Sequence, residues 1–243
     1  MRILAVGGSG IVGSLVVPIL AKTHDVRVFD LHPPQNEAVS YFQGDVTRYD
    51  DLASAMLGMD ALLYMAMGNL KWNEVSGIVS AYDVNIKGLH LALRAAHEAH
   101  IQQAVYTSTM SVYGGDLMQR YFSDEGLTPD APELYGFTKH LGEEVCLNAT
   151  RLWGMHVNAL RLCFPTAADK WQDQTIEGTP TIATSAEDVA SAMSAALDYQ
   201  SGFNTFMISG DYENKIMNMS KAKRLLNWEP LARPSKSATD NQG

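Results

Sequence analysis

The sequence predicts an α/β fold, a doubly wound parallel sheet in one domain, and three observations predict it. Strand-like and helix-like segments alternate from residue 2 to residue 226. A glycine-rich turn, Gly7-Gly8-Ser9-Gly10-Ile11-Val12-Gly13, joins the first strand to the first helix. At 243 residues, nearly half of them apolar, the chain can bury one full core. Strands that alternate with helices pair in parallel through right-handed crossovers, which places helices on both faces of the sheet.

Each element follows from its local pattern. Residues 2–6 are a short apolar run and read as a strand; 11–21 carry apolar faces at helical spacing. Residues 26–29 return to strand with Asp30 at the end, and Pro33 and Pro34 make 32–37 a loop. A third strand over 39–43 ends at Gly44-Asp45. The helix predicted over 49–57 starts with Asp50 and Asp51, which suit its positive end. Strands at 61–65, 103–107, 156–162 and 205–208 alternate with helices at 79–97, 133–150 and 184–197, and a short helix at 219–226 closes the set. Residues 231–243 are polar and aperiodic, so a disordered tail is expected.

Composition excludes several classes. A formal net charge of -9 leaves no basic footprint for nucleic acid. Two cysteines, Cys146 and Cys163, make no disulfide framework; they are expected to pack as small apolar residues in a reducing cytoplasm. The chain opens on a strand rather than a secretion signal, and no apolar run reaches the ~20 residues that span a bilayer. A cytoplasmic protein with no membrane partner is expected. Seven histidines are scattered without the spacing of a metal set.

The glycine turn carries the first chemistry. Gly7, Gly10 and Gly13 lie between a strand and a helix, where missing side chains let backbone amides and the helix N-terminus approach a pyrophosphate. Gly8, Gly10 and Gly13 also fit the G-x-G-x-x-G form, and Ile11 and Val12 open the helix beside them. Asp30 stands about 20 residues on, where a carboxylate accepts from ribose hydroxyls and repels a 2′-phosphate, so NAD is expected rather than NADP. Asp45 has two readings, a partner for the adenine amino group or a turn residue.

Tyr135 and Lys139 carry the second. Four residues apart, they share one helix face. A free phenol with pKa ~10 is a poor base. A neighbouring ammonium and a bound nicotinamide cation favour the phenolate, which can then take a proton from an alcohol while hydride leaves the carbon. Lys139 can also hold the nicotinamide ribose. A hydroxyl is expected beside them, and Thr107, Ser108, Thr109 and Ser111 are all candidates.

With these motifs the chain resembles the extended short-chain dehydrogenase/reductase superfamily, in its NAD-dependent epimerase/dehydratase branch, from Met1 to about Pro230. The resemblance rests on the three glycines, Gly44-Asp45-Val46, the run 63–67, Val84-Asn85-Ile86-Lys87-Gly88, the run 108–114, and Tyr135 with Lys139. Arg161-Leu162, Glu187-Asp188-Val189-Ala190 and the segment 221–230 match late segments. It implies a Rossmann-type sheet with a small, reduced C-terminal substrate-binding region, its elements mainly in 165–183 and 210–230. It also implies that Thr109 joins Tyr135 and Lys139 as catalytic residues. Val46, Met65, Ala66, Met67, Asn85, Ser108 and Phe164 then join the glycines, Asp30 and Asp45 around NAD, and long helices can pair two copies as a homodimer.

Two departures narrow the function. Met110-Ser111 follow Thr109 where 4,6-dehydratases of sugar nucleotides carry Asp-Glu, so that elimination lacks its acid and base. Only about twenty residues separate Leu162 from the helix near Thr184, too few for the usual clamp on a nucleotide diphosphate. The expectation is an NAD-dependent oxidoreductase acting on a secondary alcohol or carbonyl of a small sugar, sugar acid or similar substrate. An epimerase of a nucleoside-diphosphate sugar with tightly held NAD is the alternative, and a non-catalytic dinucleotide-binding regulator the second. The substrate pocket is expected from 70–78, 117–122 and 166–181, with Trp72 and Trp171 as candidate borders and Met67 and Met110 near the nicotinamide. A basic side chain at its mouth, such as Lys71, Arg120 or Lys170, would favour an acid.

Overall fold

In the first strand, β1 (Arg2–Val6), side chains alternate between two cores, as the period of two requires. Ile3 and Ala5 pack on one side with Val16, Val17, Val189 and Met193; Leu4 and Val6 pack on the other with Leu52, Leu62, Leu89 and Cys146. Because both faces are covered, the central strands read as unbroken apolar runs. Burying each large side chain contributes roughly 1.5–3 kcal/mol. The computed structural model describes residues 1–36 and 38–235.

After β1 come α1 (Ile11–Leu20), β2 (Asp25–Asp30), β3 (Ser40–Gln43), α2 (Tyr49–Met56) and β4 (Ala61–Tyr64). Then follow α3 (Val75–Tyr82), a π-helical segment Asp83–Gly88, α4 (Leu89–Glu98), β5 (Gln103–Thr109), α5 (Leu134–Trp153) and β6 (His156–Leu162). β7 (Pro165–Thr166), α6 (Ala168–Gln174), β8 (Thr184–Ser185), α7 (Ala186–Asp198), β9 (Phe203–Ile208) and α8 (Ser220–Leu226) complete the described chain. Seven strands form one parallel sheet in the order β3-β2-β1-β4-β5-β6-β9. Helices α1 and α7 cover one face and α2, α4 and α5 the other. The strand order reverses between β1 and β4, and such a switch point opens a crevice at the carboxyl ends of the strands.

The structure departs from the sequence reading in four places. The long helix predicted over 79–97 starts at Val75 and contains the π-helical segment, whose wider turn leaves Asn85 buried. Thr184 and Ser185 are not the start of the helix predicted over 184–197 but a strand paired with Pro165 and Thr166, and Ser185 caps α7 by accepting from the Asp188 amide at 3.1 Å. Helix α6 lies in a stretch read as irregular. The tail expected from residue 231 is held at its start: the amides of Leu231 and Ala232 donate to Asp188 at 2.8 and 3.0 Å, and Ser235 donates to Gln172. Residues 236–243 lie outside the described residues.

Candidate active site

A cavity of about 510 Å³ occupies the crevice at the switch point. Its floor is set by Gly7, whose φ of +80° suits only a residue without a side chain and whose missing Cβ lets the turn lie against the Ala66 backbone. Helix α1 opens at Gly10 with no side-chain cap, and Gly10, Ile11 and Val12 line the cavity. Uncapped amides at a helix N-terminus, with no side chain in the way, form a cradle suited to a pyrophosphate.

At the β2 and β3 end, Asp30 lines the cavity and accepts from the amides of Ser9 and His32 at 3.0 and 3.2 Å. Asp45 also lines it, and its Oδ1 accepts from the amide and hydroxyl of Thr47 at 2.8 and 2.9 Å, so the turn reading describes that oxygen. Val46, Met65, Ala66 and Met67 line the cavity. Asn85, expected with them, does not. Its Oδ1 accepts from the Gly68 amide at 3.0 Å and its Nδ2 donates to Thr138 Oγ1 at 2.9 Å. Each end of the amide helps brace the loop after β4 against α5.

Tyr135, Lys139 and Thr109 meet at the other end of the cavity. Gly136 makes this possible, because a Cβ there would overlap the Ser111 carbonyl and push α5 off the turn after β5. Of the four candidate hydroxyls, Thr107 donates to the Tyr64 carbonyl at 3.1 Å and Ser108 to Glu143 Oε1 at 2.6 Å. Thr109 is the one whose hydroxyl acts on the Tyr135 phenol, favouring its ionised form, and its Oγ1 accepts from the Ser111 amide at 3.1 Å. Trp72 lies flat on Tyr135, with ring centroids 5.2 Å apart and planes 15° apart.

The electrostatics differ from the sequence expectation. Burial pushes the Tyr135 phenol up, and the nearby Thr109 hydroxyl offsets only part of that. Lys139 makes its close contact with a different ring, its Nζ 4.6 Å from the centroid of Tyr106. Burial lowers the Lys139 ammonium to about 8, against smaller opposing effects of Cys146 and Glu143.

Sequence reasoning missed Glu143. It stands four residues past Lys139, on the face that carries Tyr135 and Lys139, and that i, i+4, i+8 series was the available signal. Its carboxylate accepts from Ser108 and from Arg161 Nε and Nη2 at 2.9 and 2.8 Å. Burial alone would raise this carboxyl, but the hydrogen bonds from Arg161 and Ser108, with His140 Nδ1 3.7 Å away, outweigh it and hold it at about 2. Arg161 Nη1 goes on to the Tyr113 hydroxyl at 2.6 Å and the Glu125 carbonyl at 3.1 Å.

The remaining wall is apolar. Leu70, Trp72, Met67, Met110, Leu117, Leu162, Phe164 and Pro165 line it. Phe164 does so from φ +41°, an uncommon conformation for a bulky residue. Of the expected substrate elements 165–183 and 210–230, Pro165 lines the cavity. Trp171 is buried, donating to the Ala183 carbonyl at 2.7 Å, which folds α6 back onto β8. Residue 217 is tied to Phe122 by a β-bridge. Lys71, Arg120 and Lys170 do not line the cavity; Lys71 pairs with Glu74 and Arg120 with Asp130. Among the described residues, no group of three or more His, Cys, Asp or Glu is placed to hold a metal, and no helix is long and apolar enough to cross a membrane.

A family model for the NAD dependent epimerase/dehydratase family matches residues 3–176. The chain belongs to that family. It is similar to 3-beta-hydroxysteroid dehydrogenase of Mycolicibacterium neoaurum, 33% identical over 173 residues, which cover 66% of this chain and 46% of the relative. The chain spans about half the length of the curated relatives it matches. Among solved structures, a UDP-N-acetylglucosamine 4-epimerase from Bacillus cereus superposes with a TM-score of 0.79 at 21% identity, over 96% of this chain and 94% of that one. A mutated uronate dehydrogenase superposes with the same TM-score at 19% identity, over 96% and 82%. At these identities the structures establish the shared fold, the parallel Rossmann-like sheet of this family.

Proposed function

We propose that this family member is an NAD-dependent oxidoreductase that moves a hydride between the cofactor and the carbon of a secondary alcohol or carbonyl. One observation carries the reading: the uncapped glycine turn and the Thr109–Tyr135–Lys139 group open onto a single cavity. Gly7, Gly10, Ile11 and Val12 would hold the pyrophosphate, and Asp30 the adenosine ribose, which favours NAD over NADP. Lys139, which lines the cavity, would hold the nicotinamide ribose. When bound, NAD supplies the hydride acceptor and a positive charge.

In oxidation, Thr109 holds the substrate oxygen and Tyr135 takes its proton as the carbon gives up hydride. In reduction, the buried phenol, pushed up by its surroundings, starts as the proton donor. The phenol becomes a base only when positive charge arrives beside it, which ties proton removal to cofactor binding. The test is NADH absorbance over a panel of secondary alcohols, aldoses and uronic acids, with Tyr135→Phe as control. Turnover unchanged in the variant would sink the mechanism.

The sugar-nucleotide epimerase reading asks for a clamp on a second diphosphate, yet among the described residues Lys139 is the one cation lining the cavity. The sugar-acid reading asks for a basic side chain at the mouth, and the three candidates lie elsewhere. A regulator without chemistry has no need of both Tyr135 and Lys139. Pairing of two copies has a candidate surface in the exposed apolar side chains Val75, Ile78, Val79 and Tyr82 of α3, with Phe137 of α5.

A further inference from the structure

Resting on the hydride-transfer reading above, we infer that the substrate is a neutral, largely apolar ring alcohol or ketone, not a sugar or sugar acid. The cavity is chemically divided along the sheet. Both lining carboxylates, Asp30 and Asp45, follow β2 and β3 at one end, while Thr109 and Tyr135 stand at the β5 and β6 end. Around that second end the apolar wall includes Leu70, Trp72, Met110, Leu117, Leu162 and Pro165.

The polar groups there are few and mostly spent. Thr107 and Ser108 direct their hydroxyls inward, to the Tyr64 carbonyl and Glu143. That leaves Thr109, Tyr135 and Ser111 for the substrate, enough for the one reacting oxygen. Each further hydroxyl of a sugar would lose its water partners against hydrocarbon, and a carboxylate would meet no cation among the described residues apart from Lys139. An apolar ring gains by covering the same surface. Trp72 strengthens the contrast, because its indole shields one face of the Tyr135 ring and extends the apolar wall to the mouth.

The test is calorimetric titration of the NAD-saturated protein with 1-indanol and cyclohexanol, and separately with glucose and glucuronate. An apolar site discriminates by about 100-fold against even one unsupported hydroxyl, so indanol should bind at least about 100-fold more tightly than either sugar. Leu70→Lys, at an exposed position of the wall, should weaken indanol and strengthen glucuronate, each by about tenfold. Glucose or glucuronate binding as tightly as indanol, or no binding of either apolar alcohol, would overturn the inference. NADH formation is read in the same mixtures. Indanol bound without NADH would support the substrate class and defeat the hydride-transfer reading. Turnover of glucuronate in preference to indanol would do the reverse.

Discussion

Glu143 and Arg161 form a two-point ion pair sealed inside the protein, with Nε–Oε1 and Nη2–Oε2 distances of 2.9 and 2.8 Å and side chains only 3% and 4% exposed. The pair joins α5 to β6 directly beneath Ser108. Breaking such a pair from one side strands the other charge in the interior. Glu143→Gln should therefore cost about 3–5 kcal/mol of stability, read as a lower urea midpoint at neutral pH.

The same carboxylate sets an acid limit. Its folded value of about 2 lies below its ordinary 4.5, so its contribution is fully present above pH 4.5 and is lost as pH falls towards 2. Linkage puts the loss on the order of 3 kcal/mol. Urea denaturation across that window should show the slope in the native protein and a shallower one in Glu143→Gln.

Lys139 should behave in the opposite sense. Its folded value of about 8 lies below its ordinary 10.5, so keeping it charged opposes folding below pH 8, and stability rises as pH climbs from 8 to 10.5. The rise is on the order of 3 kcal/mol. Lys139→Met should abolish that rise and leave the melting temperature at pH 7 unchanged or higher, while NAD-linked turnover falls at least about 100-fold.

Tyr135→Phe keeps the ring on which Trp72 stacks and removes the hydroxyl on which Thr109 acts. Turnover should fall about 100- to 10,000-fold with NAD affinity preserved. A parallel loss of NAD binding, measured by fluorescence titration, would argue that the hydroxyl holds cofactor instead.

Asp30→Ala removes the carboxylate that faces the expected ribose position. The preference for NAD over NADP should fall by about tenfold or more, since a 2′-phosphate no longer meets a like charge. Equal use of both cofactors by the native protein would count against this role.

Val79→Glu tests the proposed pairing of two copies. Val79 is 53% exposed on the apolar face of α3. Sedimentation should give a dimer for the native protein and a monomer for the variant, because a buried carboxylate on a two-fold surface meets its own copy.

The sequence by itself determined the parallel α/β plan, the glycine turn after β1, and Tyr135 and Lys139 on one face of α5. These are local properties: side-chain periods of two and 3.6, and positions where a side chain is absent. Only the tertiary structure decided which hydroxyl acts on Tyr135, because Thr107, Ser108 and Thr109 are adjacent in sequence yet face three different partners. It took Asn85 off the cavity wall, buried Trp171 and laid Trp72 on Tyr135. It also joined Ser108 to Glu143 across 35 positions of chain and left the reacting end of the cavity walled with hydrocarbon. A side chain's partner depends on where distant segments cross, and that is set by packing two cores against one sheet.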